Sequence, residues 1–175
     1  MSIKPIETIY KGYRFRSRLE ARWAVFFDEL GVDYEYELEG YELEDGTRYL
    51  PDFYIPKEKL FVEIKGEYPN QKYKNMLVNF TESIDKALLL ICGTPGKQTM
   101  ELYCYDSKGF SSGGVGWNDL PINFQYMIKS QRTYSTLNYE HSLDDFLQKT
   151  ITDEPIYRYA LDRARQARFE HGESP

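Results

Sequence analysis

An α/β fold with a mixed β-sheet flanked by helices, its core in the order αβββαβ, is predicted from three observations. Residues 17–31 repeat apolar side chains at helical spacing, the stretches around 34–38, 50–55 and 60–66 are short and strand-like, and Ala87-Leu-Leu-Leu-Ile-Cys92 is an unbroken apolar run bounded by charge and glycine. Such a run suits a strand buried on both faces, which needs helices above and below it.

Taken in order, Ser17 is placed to cap the first helix, where Leu19, Trp23, Phe26, Phe27 and Leu30 form one stripe ending at Gly31. Tyr34, Tyr36 and Leu38 alternate with Glu35, Glu37 and Glu39, the pattern of a strand with one wet side. Asp45-Gly46 marks a turn toward a strand carrying Asp52. Pro51 has no N–H for the ladder, so it belongs at a sheet edge or where strands diverge, which would leave room beside Asp52. Tyr73, Met76, Leu77, Phe80 and Ile84 place a second helix over 70–84, ahead of the apolar strand. Beyond it, 100–105 reads as a strand, 109–116 as a flexible Gly/Ser loop and 143–149 as a short helix. A last helix is expected over 153–171, with Tyr157, Ala160, Leu161, Ala164 and Arg168 on one face. One domain over 1–175 accounts for the length, with a core at 10–95, an extension at 97–150 and that C-terminal helix.

Composition narrows the function classes. A chain that is 16% aromatic has the means to build a core and is not a disordered segment. No apolar run approaches the ~20 residues of a membrane span, and the start is not a basic-then-apolar leader, so a cytoplasmic protein without a membrane partner is expected. Cys92 and Cys104 have no Cys or His neighbours at ligand spacing, so neither a zinc site nor a disulfide framework is indicated. The net charge of −6 disfavours nucleic acid at first sight, but Asp33 to Asp45 holds seven acidic residues and no Lys or Arg, which leaves the rest near +1.

Chemistry concentrates in Tyr49-Leu-Pro-Asp-Phe-Tyr-Ile-Pro56 and Leu60-Phe-Val-Glu-Ile-Lys-Gly66. Asp52, Glu63 and Lys65 lie within apolar strands, where an unpaired charge costs several kcal/mol and therefore pairs or binds a cation. Glu63 and Lys65, two apart, share one face of the sheet. A hairpin would bring Asp52 alongside. Two carboxylates and an ammonium on one surface suit Mg²⁺ or Mn²⁺ and a phosphodiester substrate. An ordinary buried salt bridge is the alternative use of the same residues.

Pro51-Asp52, ten residues, then Glu63-x-Lys65 resembles the signature of the PD-(D/E)XK nuclease superfamily, in the family's order of helices and strands. The opening Tyr13-Arg-Phe-Arg-Ser-Arg-Leu-Glu-Ala-Arg-Trp-Ala24 and the closing Ala164-Arg-Gln-Ala-Arg-Phe-Glu-His-Gly-Glu173 resemble small phage and prophage members. The resemblance covers residues 10–95 and the tail, and implies a restriction-endonuclease-like core. It also implies a divalent-metal-dependent nuclease cutting DNA internally, with Asp52, Glu63 and the Ile64 carbonyl holding the ion and Lys65 serving the attacking water or the phosphate.

Glu20 has two competing uses. The resemblance places an acidic residue of the first helix at the metal site, whereas Ser17-x-x-Glu20 is also a capping box. Arg14, Arg16, Arg18 and Arg22, with a second group at 158–168, are candidate DNA-phosphate contacts, or else solvated helix faces. Lys72 is the candidate auxiliary cation of the second helix, or a solvated lysine. His141 and His171 stand in no catalytic motif. Nucleic acid, DNA foremost, is the expected partner; a homodimer would suit a cutter of two strands, and a targeting protein would supply substrate choice. The competing classes are a catalytically silent nuclease-fold protein that binds nucleic acid or a protein, and a structural phage component.

Overall fold

The computed structural model describes residues 6–106, 109–115 and 155–169. It opens with a hairpin, β1 (Thr8–Tyr10) and β2 (Tyr13–Phe15), and continues with α1 (Arg18–Glu29), β3 (Glu35–Tyr36), β4 (Tyr41–Glu42), β5 (Arg48–Tyr49) and β6 (Phe53–Ile55). A 3₁₀ turn leads into β7 (Leu60–Lys65), followed by α2 (Gln71–Ile84), β8 (Ala87–Cys92), β9 (Thr99–Asp106), β10 (Gly109–Val115) and α3 (Pro155–Gln166). Among the described residues one mixed sheet of six strands has the order β10-β9-β8-β7-β6-β3, with β1-β2 and β4-β5 as separate hairpins. The chain is thus α/β with a mixed sheet flanked by helices, as predicted.

Among the described residues only β7 and β8 are parallel, which follows from α2 being the crossover between them. Val62, Ile64, Leu89 and Ile91 point to one face and pack with Trp23, Phe26 and Phe27 of α1 and Tyr157, Ala160 and Ala164 of α3. Phe61, Leu88 and Leu90 point to the other, under Leu77 and Phe80 of α2 and Tyr49. Period-2 alternation in β8 therefore feeds two cores at once, and that is why its sequence is apolar at every position.

Local chemistry explains the boundaries. The Ser17 hydroxyl accepts from the Glu20 N–H at 3.2 Å and starts α1, which stops where Gly31 takes φ +66. Lys11 and Gly12, both at positive φ, make the tight β1-β2 turn. Asn70 caps α2 through the Tyr73 N–H.

Three expectations change. The strand predicted over Tyr34 to Leu38 is only Glu35–Tyr36, because Glu37 adopts φ +48 and turns Leu38 out, 45% exposed. The predicted loop at 109–116 is largely β10: its glycines keep their N–H and C=O groups, and β9 offers a complete edge to pair with, from Gly109↔Asp106 to Val115↔Met100. The last helix ends at Gln166 and Arg168 is exposed beyond it. The helix expected at 143–149, His141, His171 and most of the extension lie outside the described residues. Among the described residues no helix is long and apolar enough to cross a membrane.

The loop after β8 ties three elements together. The Gly93 N–H donates to Lys65 O at 2.8 Å and Gly93 O accepts from Trp23 Nε1 at 3.0 Å. Gly93 has φ +102, and a Cβ there would lie 2.6 Å from the Lys97 carbonyl oxygen. Gly93→Ala is therefore expected to cost about 2 kcal/mol or more, against about 1 kcal/mol for Gly46→Ala, where φ is +77 but space is open. Urea denaturation of the two variants checks the difference.

Candidate active site

The acidic residues meet at the C-terminal end of β7, the end of a parallel pair where open α/β sheets place their sites. The β6-β7 ladder pairs Phe53 with Val62, and one further step of the same register sets Asp52 across from Glu63. Pro51 and Asp52 precede β6, and there the side chain takes over from the ladder: Asp52 Oδ2 accepts from the Ile64 N–H at 2.7 Å. Asp52 and Glu63 are 3% and 2% exposed, so both carboxylates are in the protein interior.

Each carboxylate has specific partners. Glu63 Oε1 accepts from Lys65 Nζ and, at 2.5 Å, from the Tyr73 hydroxyl; Oε2 accepts from the Tyr49 hydroxyl at 2.8 Å. Asp52 Oδ1 lies 3.2 Å from Arg16 Nη2, and Arg16 Nε pairs with Glu37. Burial, reinforced by the charge of Glu63 and opposed by Lys65, pushes the Asp52 carboxyl well above the usual carboxylate range. Burial disfavours the Lys65 ammonium, but Glu63 and Asp52 outweigh it and hold the group above the ordinary lysine range. Burial beside Glu63 likewise keeps the Tyr49 phenol protonated, as a donor.

Glu20 is 8% exposed, and its carboxylate serves the cap. Oε1 accepts from the Ser17 hydroxyl at 2.7 Å, while Oε2 accepts from the Tyr36 hydroxyl at 2.6 Å and the Arg16 N–H at 3.1 Å. These bonds complete the capping box, with the reciprocal contact made to the residue before the cap. The negative charge of Glu20 still raises Asp52, so it acts on the site electrostatically.

The basic candidates divide. Arg16 belongs to the acidic cluster. Arg14 pairs at 3.7 Å with Glu7, both well exposed, a contact worth little. Arg18 and Arg22 are half-buried on α1. Lys72 is exposed, and its charge acts on Asp45 in the β4-β5 turn. On α3, Arg163 pairs with Glu29 at 3.2 Å and Arg165 Nε donates to Pro95 O at 3.4 Å, so both help dock the helix. The α2 residue reaching Glu63 is Tyr73, and Lys74 pairs instead with Glu101 at 3.0 Å. Sequence reasoning missed Tyr49, Tyr73 and Glu37 at the site. Their signal was positional, a tyrosine three residues before Asp52 and another in the first turn after the Glu-x-Lys strand, and only the register chooses them among sixteen tyrosines.

Among the described residues no three His, Cys, Asp or Glu side chains converge as a metal cluster. Glu101 lies in the same row as Glu63 and Leu90, but two strands across, roughly 10 Å away. The donor set open to an ion is Asp52, Glu63 and main-chain oxygen. Two carboxylates with the remaining positions left to water match what Mg²⁺ accepts, and the charge of Arg16 on Asp52 shows that this oxygen attracts a cation. Cys92 is buried, its thiol pushed up to about 11 by burial and Glu101, which leaves it unreactive. The chain matches no family model, and no curated protein proves significantly similar to it.

Proposed function

We propose that the chain is a divalent-metal-dependent nuclease of PD-(D/E)XK type that hydrolyses phosphodiester bonds within DNA, built on a restriction-endonuclease-like core. The observation that carries this reading is the burial of Asp52 and Glu63 beside Lys65 at the open end of a parallel strand pair. Mg²⁺ or Mn²⁺, when bound, neutralises charge on the scissile phosphate and lowers the pKa of a water near it. Asp52 and Glu63 would hold the ion, with the Ile64 carbonyl as a third oxygen. Tyr49 and Tyr73 fix the rotamer of Glu63, the orienting task that groups behind a ligand perform. Lys65 is one-third exposed and points its charge to the same place, so it meets the phosphate or the water as a hydrogen-bond donor. Glu20 keeps the start of α1 in register and adds negative potential at Asp52. Arg14, Arg18 and Arg22 would contribute phosphate contacts, in a cytoplasmic protein of phage or host.

Purified protein incubated with Mg²⁺ or Mn²⁺ and labelled duplex, single-stranded and four-way-junction DNA, and RNA, is expected to cut DNA only when the ion is present. Asp52→Ala and Lys65→Ala are each expected to reduce cleavage by on the order of 10³-fold. Binding of DNA with no cleavage by any form would replace catalysis with a silent, nucleic-acid-binding role.

A further inference from the structure

Asp52 has one oxygen committed and one available. Oδ2 is taken by the Ile64 N–H at 2.7 Å, and Oδ1 faces Arg16 Nη2 at 3.2 Å. Oδ2 is fixed by the main chain and Oδ1 only by a side chain, so a divalent ion that takes Oδ1 meets the charge of Arg16 there. Two cations at one carboxylate oxygen repel each other, so an ion at Oδ1 weakens the hold on the guanidinium.

Arg16 is built for such a move. Its root is held: the main-chain N–H donates to Tyr36 Oη at 2.9 Å and to Glu20 Oε2 at 3.1 Å. Its side chain is 52% exposed, with ion pairs to Asp52 and Glu37 and a hydrogen-bonding partner in Tyr36. A planar guanidinium is also the best-suited side chain for the two oxygens of a phosphodiester. We propose that Arg16 couples ion entry to substrate: in the free protein it is the counter-cation of Asp52, and when a divalent ion takes Oδ1 it transfers to the phosphodiester. This rests on the nuclease reading above. The consequence is reciprocal, since phosphate removes the competitor of the ion and the ion frees a ligand for phosphate. Arg16 is then a positioning residue that also limits idle metal loading.

Mn²⁺ binding to the full chain, followed by the paramagnetic resonance signal of the free ion, tests this without activity. Arg16→Gln is expected to bind Mn²⁺ about tenfold tighter than wild type, within the range of ordinary coupling. Arg16→Lys keeps a competing charge and is expected to stay near wild type. A nuclease-resistant phosphorothioate duplex should tighten Mn²⁺ binding by wild type more than by Arg16→Gln, closing the gap. If Arg16→Gln binds no tighter than wild type, if Arg16→Lys binds as tightly as Arg16→Gln, or if the duplex leaves the gap intact, the coupling is overturned. Mn²⁺ binding abolished by Asp52→Asn would in those cases leave the nuclease reading standing. Absence of Mn²⁺ binding by every form overturns both.

Discussion

Asp52→Asn is expected to make the metal-free protein more stable while abolishing cleavage. The folded protein holds the Asp52 carboxyl above its usual range, first by burial and then by the charge of Glu63. A raised folded value means that the stability it contributes is complete below the ordinary carboxylate range and is lost as pH rises through the folded value. Asparagine carries no charge to desolvate, and its carbonyl oxygen can still accept from the Ile64 N–H. The advantage of the variant should therefore grow from pH 5 to pH 8, where on the order of 1–2 kcal/mol, roughly 2–6 °C in Tm, is expected in a chelator. Loss of the Arg16 contact works against this only weakly, because that side chain is half exposed. Adding Mg²⁺ should raise the wild-type Tm and leave Asp52→Asn where it was, since an ion stabilises only the form that binds it. Thermal unfolding at both pH values, with chelator and with Mg²⁺, reads all of this. A variant less stable than wild type at pH 8 in chelator would show that Asp52 is structural.

Trp23→Ala is expected to cause the largest loss of stability in α1. The indole is fully buried, meets Phe26 edge-on at 5.3 Å and Phe27 at 5.8 Å, and donates to Gly93 O at 3.0 Å. Truncation removes the apolar contact, leaves a cavity and orphans that carbonyl, for about 3–5 kcal/mol in total. This is roughly a fifth or more of what holds a typical domain folded. Trp23→Phe retains most of the ring contact and loses the donor, so an intermediate cost of about 1–2 kcal/mol is expected. Because Gly93 also bonds the end of β7, Lys65 should be disturbed in both variants. Urea midpoints of the pair separate packing from the hydrogen bond, and equal costs for the two would refute that division.

Much of the fold was legible because it depends on local periodicity. The stripe from Trp23 to Phe27, the Leu77-Phe80 face and the continuous apolar run of β8 each state which faces are buried, and all three elements form where they were expected. Glycine-rich β10 was misread for the opposite reason. Its strand character comes from the waiting edge of β9 and not from its own side chains. Glu37 was read as one wet position among three, and its left-handed backbone follows from contacts with Asp52 and Arg16 that lie far away in sequence.

The sequence by itself determined the α/β class, the cap of the first helix, and the meeting of Asp52 with Glu63 and Lys65 across one hairpin, since spacing within a strand and a short hairpin decide these. Only the tertiary structure decided what each charge meets. Ser17 and Glu20 announce a capping box in the sequence, but that Tyr36 completes it required the turn of β3 under α1. Arg16 looks the same as Arg14 in a list of residues, yet one neutralises a buried carboxylate and the other lies in solvent. Pairings of this kind depend on strand register and helix docking, in which residues 10 to 36 positions apart are brought within hydrogen-bonding distance. Nothing in the local pattern of a chain records that distance.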